Sequence, residues 1–137
     1  MVKNSMSDMQ YRRDGRYNEL TGSLYSSGTY VAGIDRQGDT LTFRVDTDKS
    51  GTYIMRVFYT DPMGPAKLDV AVDGIKAGEL SFEWTATGWG TFDPDNFAEL
   101  SVQLSAGTHT IEIIRPVSGG NSAELDAMTL MADTRGN

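Results

Sequence analysis

Short segments that alternate apolar and polar residues, separated by turn residues, limit most strongly what this chain can fold into. Residues 40–46 place Leu41, Phe43 and Val45 on one face, and residues 53–59 alternate in the same way with apolar side chains on both faces. Alternation with period two is typical of strands that pack on a core. The 15 glycines are spread along the 137 residues and form no linker. We therefore expect one all-β domain without a long helix.

Turn sequences divide the alternating segments into three expected hairpins. The pairs are 40–46 with 53–59, 67–72 with 75–82 across the type I′ dipeptide Asp73-Gly74, and 98–104 with 109–114. Residues 124–131 predict a closing strand, and the chain ends are expected to pair. About nine strands then form two packed antiparallel sheets, in a jelly-roll or an immunoglobulin-like arrangement. We expect the sandwich over residues 9–132, with disordered tails at 1–8 and 133–137.

Charge and composition exclude several classes of protein. The formal charge is −7, from 19 acidic and 12 basic residues, so a nucleic-acid backbone would be repelled. No apolar run approaches the roughly 20 residues that span a bilayer, and the absence of cysteine excludes disulfides, thiolate nucleophiles and cysteine-based zinc sites. An acidic balance suits an exported protein and calcium, although most Asp residues are expected to solvate the surface or cap turns. The default oligomeric state is a monomer.

Catalytic signatures are weak. The chain has a single histidine, His109, which is expected to be an exposed residue at the start of a strand rather than a catalytic base. With 19 acidic residues, many carboxylate pairs are possible, so the sequence does not single out a pair of the kind that glycosidases use. We therefore expect a binding protein rather than an enzyme.

The segment from Trp84 to Phe92 favours ligand binding, because it places three aromatic residues in a Gly/Thr-rich stretch that does not alternate like a strand. Aromatic faces stack on the C–H faces of sugars. Trp84 and Phe92 are expected in the core, since aromatics of a sandwich usually pack there. For Trp89, which lies between Gly88 and Gly90, burial and exposure are equally expected.

In order and spacing, several motifs together resemble carbohydrate-binding modules of families 6 and 35, which are galactose-binding-like jelly rolls appended to polysaccharide-degrading enzymes. These motifs are Ser27-Gly28-Thr29-Tyr30-Val31-Ala32-Gly33, Leu41-Thr42-Phe43-Arg44-Val45, Ser50-Gly51-Thr52-Tyr53, Val72-Asp73-Gly74, Thr87-Gly88-Trp89, Leu104-Ser105-Ala106-Gly107-Thr108-His109 and Asn121 ahead of Leu125-Asp126. The resemblance covers most of the chain. It implies a secreted, non-catalytic module that targets an appended enzyme to its glycan.

The resemblance also implies a ligand site in the loops at one end of the sandwich. Trp89 would stack on a pyranose ring, Asn121 would hydrogen-bond sugar hydroxyls, and Tyr30 would supply a second wall. Ile34, at the position where many members carry a second aromatic, is expected to contact the ligand as well, although the complete aromatic clamp is not expected. The alternative for Asn121 is a purely structural turn residue.

A calcium site is implied by the same resemblance, but its ligands are incomplete. Asp126 matches the family's C-terminal aspartate, whereas Arg12 and Arg13 stand where two glutamates are expected. Loss of two carboxylates would remove most of the affinity of a hard-cation site. We expect an arginine–Asp126 ion pair to replace the metal.

Two rival functions stay open on the sequence alone. The first is a structural or protein-interaction sandwich of a multidomain extracellular protein, in which Trp89 and Tyr30 would be buried. The second is a small glycan-active enzyme with a carboxylate pair. Exposure of Trp89 would argue against the first rival, and turnover by the isolated chain would be required for the second.

Overall fold

The computed structural model describes residues 37–117, 120–121 and 123–133, Ile34, and the backbone of residues 2–5, 10–13, 16–17, 20–21 and 29–30. These residues form twelve strands and no helix. The strands are β1 (Val2–Ser5), β2 (Gln10–Arg13), β3 (Arg16–Tyr17), β4 (Leu20–Thr21), β5 (Thr29–Tyr30), β6 (Thr40–Thr47), β7 (Gly51–Thr60), β8 (Ala66–Val72), β9 (Ile75–Phe82), β10 (Phe97–Leu104), β11 (Gly107–Ile114) and β12 (Glu124–Ala132).

Two antiparallel sheets build the molecule. One sheet has the strand order β1-β12-β7-β10, the other has the order β3-β2-β6-β11-β8-β9, and β4 and β5 form a separate pair. Apolar side chains of the two larger sheets meet in one core. The expected all-β, two-sheet jelly-roll sandwich is therefore confirmed. In the part of the chain that the structure describes, no helix is long and apolar enough to cross a membrane.

The core follows the alternation read from the sequence. Leu41, Phe43 and Val45 of β6 are all buried in it, as expected. Strand β7 is buried on both faces, because Ile54 and Phe58 on its outer face are each only 5% exposed. The prediction of a strand covered on both sides is confirmed. Strand β7 lies inside its sheet, between β12 and β10.

The hairpin at Asp73-Gly74 is confirmed. Strands β8 and β9 pair antiparallel on either side of it, and φ is +51° at Asp73 and +84° at Gly74. Positive φ at both central residues defines a type I′ turn, whose twist matches that of the flanking strands.

The other two expected hairpins are wrong. Strands β6 and β7 lie in opposite sheets, and so do β10 and β11. Each connection therefore crosses from one sheet to the other instead of folding back within one. Val102 and Leu104 still meet Ile111 and Ile113 in the core, but they approach it from opposite sides. Alternation fixes which face is apolar, and a hairpin and a crossover satisfy it equally.

The chain ends pair, as expected, through β1 and β12. Strand β1 lies inside the tail predicted over residues 1–8, so this part of the tail prediction is corrected; residues 1, 6–8 and 134–137 lie outside the described residues. In β12 the register shifts between Leu125 and Ala127. This bulge at Asp126 puts Leu125 on the same core as Met128 and Leu130, whereas simple alternation predicted opposite faces.

Candidate ligand-binding site

Three loops meet at one end of the sandwich. They are the β7–β8 loop (residues 61–65), the β9–β10 loop (residues 83–96) and the β11–β12 loop (described at residues 115–117, 120, 121 and 123). The backbone N–H of Thr85 donates to the carbonyl oxygen of Asp61 at 2.9 Å, and that of Asn121 donates to the carbonyl oxygen of Pro65 at 3.0 Å. These bonds join the loops into one area, the three-loop surface.

Trp89 lies in the β9–β10 loop and is 47% exposed. The N–H of Thr91 donates to the carbonyl oxygen of Gly88 at 3.1 Å, which closes a tight turn around the tryptophan. Gly90 has φ +72°, in the left-handed region that favours glycine. Of the two alternatives for Trp89, the structure shows exposure, and the positive φ of Gly90 permits the tight turn that carries it.

Glu124, at the start of β12, fixes this turn through a hydrogen bond to its backbone. Its Oε1 accepts a hydrogen bond from the Gly90 N–H at 2.6 Å, and its side chain is buried. Burial raises the pKa of the Glu124 carboxyl, and the Gly90 N–H partly offsets that rise. Sequence reasoning placed Glu124 in the closing strand and gave it no role, because its partner is a backbone group 34 residues away.

A buried threonine ties the β9–β10 loop to the sandwich. The Thr60 hydroxyl lies 3.3 Å from Thr85 Oγ1, 2.7 Å from Thr87 Oγ1 and 3.0 Å from the carbonyl oxygen of Gly88. Thr85 Oγ1 also accepts the N–H of Asp61 at 2.9 Å. Thr85 and Thr87 of this loop therefore face inward and fix its backbone.

Trp84 and Phe92, both expected in the core, differ in outcome. Phe92 is buried, which confirms the expectation, whereas Trp84 is 62% exposed, so the expectation for Trp84 is wrong. The physical reason is that the hydrogen-bonded Thr85, next to Trp84, is the first buried residue after Phe82, where β9 ends. The indole of Trp84 is therefore left at the surface.

Two further apolar side chains are exposed on the three-loop surface, and sequence reasoning missed both. Met63 lies in the β7–β8 loop and Val117 in the β11–β12 loop, with exposures of 63% and 76%. A single apolar residue in a short loop has no periodicity to reveal it.

Asn121 is exposed in the β11–β12 loop, at the same end as Trp89. Its Nδ2 donates to the carbonyl oxygen of Met63 at 3.2 Å. The buried guanidinium of Arg115 donates to the carbonyl oxygens of Asn121 and Gly120. The structural alternative for Asn121 is therefore observed, while its contact with a ligand stays a prediction.

Ile34 and Tyr30 do not join this surface in the way expected. Ile34 is only 1% exposed and belongs to the core, so its assignment as a ligand-contacting residue is corrected: an aliphatic side chain at this position is stabilised by burial. Tyr30 lies in β5 and pairs with Leu20 of β4. Its side chain lies outside the described residues, and its role as a second wall stays a prediction.

Asp126, the candidate metal ligand, is fully buried at the bulge of β12. Within the described residues, no group of three or more His, Asp or Glu side chains is arranged to hold a metal ion. The side chains of Arg12 and Arg13 lie outside the described part of the chain. The arginine–Asp126 pair and the loss of calcium affinity thus stay predictions.

Asp61 is a second buried acid of the three-loop surface that the sequence did not reveal. Its Oδ1 accepts the N–H of Met63 at 3.3 Å, and its Oδ2 has no hydrogen-bond partner among the described residues. Burial is the main cause of a raised pKa for this carboxyl.

His109 is buried rather than exposed, so the prediction for its environment is wrong. Its Nδ1 lies 2.6 Å from Asp73 Oδ2 and its Nε2 lies 2.7 Å from the carbonyl oxygen of Ser105. Both ring nitrogens face acceptors, which favours the doubly protonated ring; the hydrogen bond to Asp73 is the main cause of a raised pKa for His109. This pair closes the end of the sandwich opposite the three-loop surface and explains the histidine as a structural residue.

A β-sandwich that carries an exposed tryptophan on a firmly tied loop has the architecture of a ligand-binding module. The family model "Carbohydrate binding module (family 35)" matches residues 14–128. The chain belongs to this family of carbohydrate-binding modules. The family 35 part of the resemblance is thus confirmed, as is the expectation of a non-catalytic module; the link to family 6 stays a prediction.

Similar proteins carry such a module as one part of larger enzymes. The chain is 30% identical over 106 residues to a cycloisomaltooligosaccharide glucanotransferase of Niallia circulans and 32% identical over 118 residues to an isomaltosyltransferase of Sporosarcina globispora. These matches cover 77% and 82% of this chain, which spans 10% of each relative. The solved family 35 module of Paenibacillus barcinonensis superposes with a TM-score of 0.78 at 20% identity, over 97% of this chain and 100% of that one, and so shares its fold.

Proposed function

We propose that this module binds glucans rich in α-1,6-linked glucose at the three-loop surface, and thereby holds an appended glycan-active enzyme on its polysaccharide. The observation that carries the proposal is Trp89, which is half exposed on a turn fixed by Glu124. A rigid, exposed indole can stack on a glucose ring without a large loss of conformational freedom.

The names of the two curated relatives support this choice of glycan. Both refer to isomaltose units, in which two glucoses are joined by an α-1,6 bond. A neutral glucan also suits a protein with a formal charge of −7, since it suffers no repulsion from the acidic surface. Acidic polysaccharides would be repelled unless a cation bridged them.

The rival hypothesis, a structural or protein-interaction sandwich, requires Trp89 to be buried. An indole that is 47% exposed, with further exposed apolar residues in the loops at the same end of the sandwich, instead favours binding to a partner outside the domain. We further infer that the module is monomeric and works outside the cell, where polysaccharide substrates occur.

Affinity electrophoresis tests the proposal. Wild type and Trp89→Ala are run in gels containing dextran, xylan, mannan or pectin, each with calcium and with a chelator. We expect dextran to retard wild type but not Trp89→Ala. Ile75→Ala is the matched control, because Ile75 is also an exposed apolar residue but lies at the Asp73-Gly74 turn, away from the three-loop surface. Failure of wild type to bind dextran would refute the choice of glycan.

A further inference from the structure

Exposed apolar side chains are concentrated on the three-loop surface. Six large hydrophobic residues are well exposed in the described part of the chain, and four of them lie in the three loops: Met63, Trp84, Trp89 and Val117. Solvent-exposed apolar residues that cluster in this way mark a binding surface. Stacking of one sugar ring on Trp89 accounts for only one of these four side chains.

Hydrogen bonds on both sides of Trp84 fix the backbone that exposes its side chain. On one side of it, the N–H of Glu83 donates to the Tyr59 hydroxyl at 2.8 Å. On the other side, the N–H of Thr85 donates to the carbonyl oxygen of Asp61. The backbone is therefore held on both sides of Trp84, while the indole itself is 62% exposed. These anchors use backbone groups and neighbouring side chains, so the fold of the loop does not require an indole at position 84.

Trp84 and Trp89 are presented by one rigid segment. The Thr60 hydroxyl contacts both Thr85, which follows Trp84, and Gly88, which precedes Trp89. Five residues can span at most roughly 17 Å, and the shared anchor at Thr60 keeps the two positions closer than that limit. The backbone positions of the two exposed tryptophans are therefore separated by no more than the length of a short oligosaccharide.

We propose that Trp84 is a second sugar-stacking platform, which extends the site from one glucose unit to several units of the same glucan chain. This inference rests on the proposed function, in which Trp89 is the first platform. The exposed carboxylate of Glu83 and the exposed amide of Asn121 border the same surface and can hydrogen-bond the hydroxyls of a neutral sugar chain.

Isothermal titration with isomaltose and longer isomalto-oligosaccharides tests the second platform. In wild type, affinity should rise with chain length. In Trp84→Ala, affinity for isomaltose should be unchanged, while affinity for the longest ligand should fall roughly fivefold or more, as expected for a lost aromatic contact. Trp84→Tyr should restore most of the gain, and Trp89→Ala should lose binding at every length.

Controls separate a failure of this inference from a failure of the proposed function. Ile75→Ala should behave like wild type, and circular dichroism should show that Trp84→Ala stays folded, since the residue is exposed. If wild type binds no isomalto-oligosaccharide, the proposed function fails and the second platform fails with it. If binding depends on Trp89 but Trp84→Ala matches wild type at every length, or weakens every length equally, the second platform alone is refuted.

Discussion

The hydroxyl of Thr60 should control both the stability of the domain and the competence of its site. Thr60 is fully buried, and its Oγ1 lies within hydrogen-bond distance of Thr87 Oγ1 and of the Gly88 carbonyl oxygen. Thr60→Val keeps the shape of the side chain but leaves these partners facing a methyl group. One unsatisfied buried polar group costs roughly 1–3 kcal/mol, and the lower end is expected here because the hydrogen bonds to Thr87 and Gly88 are only partly buried. For a domain of this size, the melting temperature should then fall by roughly 3–10 °C.

Thermal unfolding followed by circular dichroism, with dextran affinity measured on the same samples, checks this prediction. Thr60→Ser is the matched control: it loses a buried methyl group, worth about 1 kcal/mol, but keeps the hydroxyl that ties down the loop. Thr60→Val should bind dextran more weakly than Thr60→Ser, even where both are fully folded. A valine variant with wild-type melting temperature and wild-type affinity would refute the role of this hydroxyl as the anchor of the loop.

Two further predictions concern the His109–Asp73 pair and the close packing at Gly120. The His109–Asp73 pair raises the pKa of His109 above its ordinary 6.5 and lowers that of Asp73 below its ordinary 3.8. Its stabilisation is therefore complete between these two ordinary values, and is lost as the pH rises through the raised pKa of His109 or falls through the lowered pKa of Asp73. Melting curves of wild type and His109→Gln should converge at alkaline pH; a difference independent of pH would contradict the pairing. Gly120→Ala should destabilise the domain more than Gly38→Ala, because a Cβ at 120 would lie 2.6 Å from the Pro65 carbonyl oxygen, whereas at 38, also at positive φ, it meets nothing within 4 Å. Equal losses in urea unfolding would show that this close approach is unimportant.

The faces of the strands were predictable from the sequence, but the route of the chain between the sheets was not. Alternation correctly buried Leu41, Phe43 and Val45. The Asp73-Gly74 turn was recognisable because two consecutive residues at positive φ demand particular amino acids. The connections after β6 and β10 contain ordinary turn residues, which serve a crossover as well as a hairpin, so their topology depends on contacts distant in sequence.

The site was predictable in outline and less so in detail. Trp89 between two glycines was recognisable as a loop aromatic, and the structure exposes it. Trp84 was misassigned because the polar network around Thr60, which turns it outward, joins residues 25 to 28 positions apart. Glu124 and Asp61 were not recognised because, among 19 acidic residues, only their burial distinguishes them. Burial, like the Thr60 network, depends on contacts between residues distant in sequence.

The dissociation constant for dextran of wild type, Trp89→Phe and Trp89→Ala tests the central claim most directly. Stacking at the three-loop surface predicts that Trp89→Ala binds at least about tenfold more weakly, a loss of about 1.4 kcal/mol, and that Trp89→Phe, which keeps an aromatic face, lies between the two. Equal dissociation constants for all three folded proteins would contradict the claim, because the glucan would then bind somewhere other than Trp89.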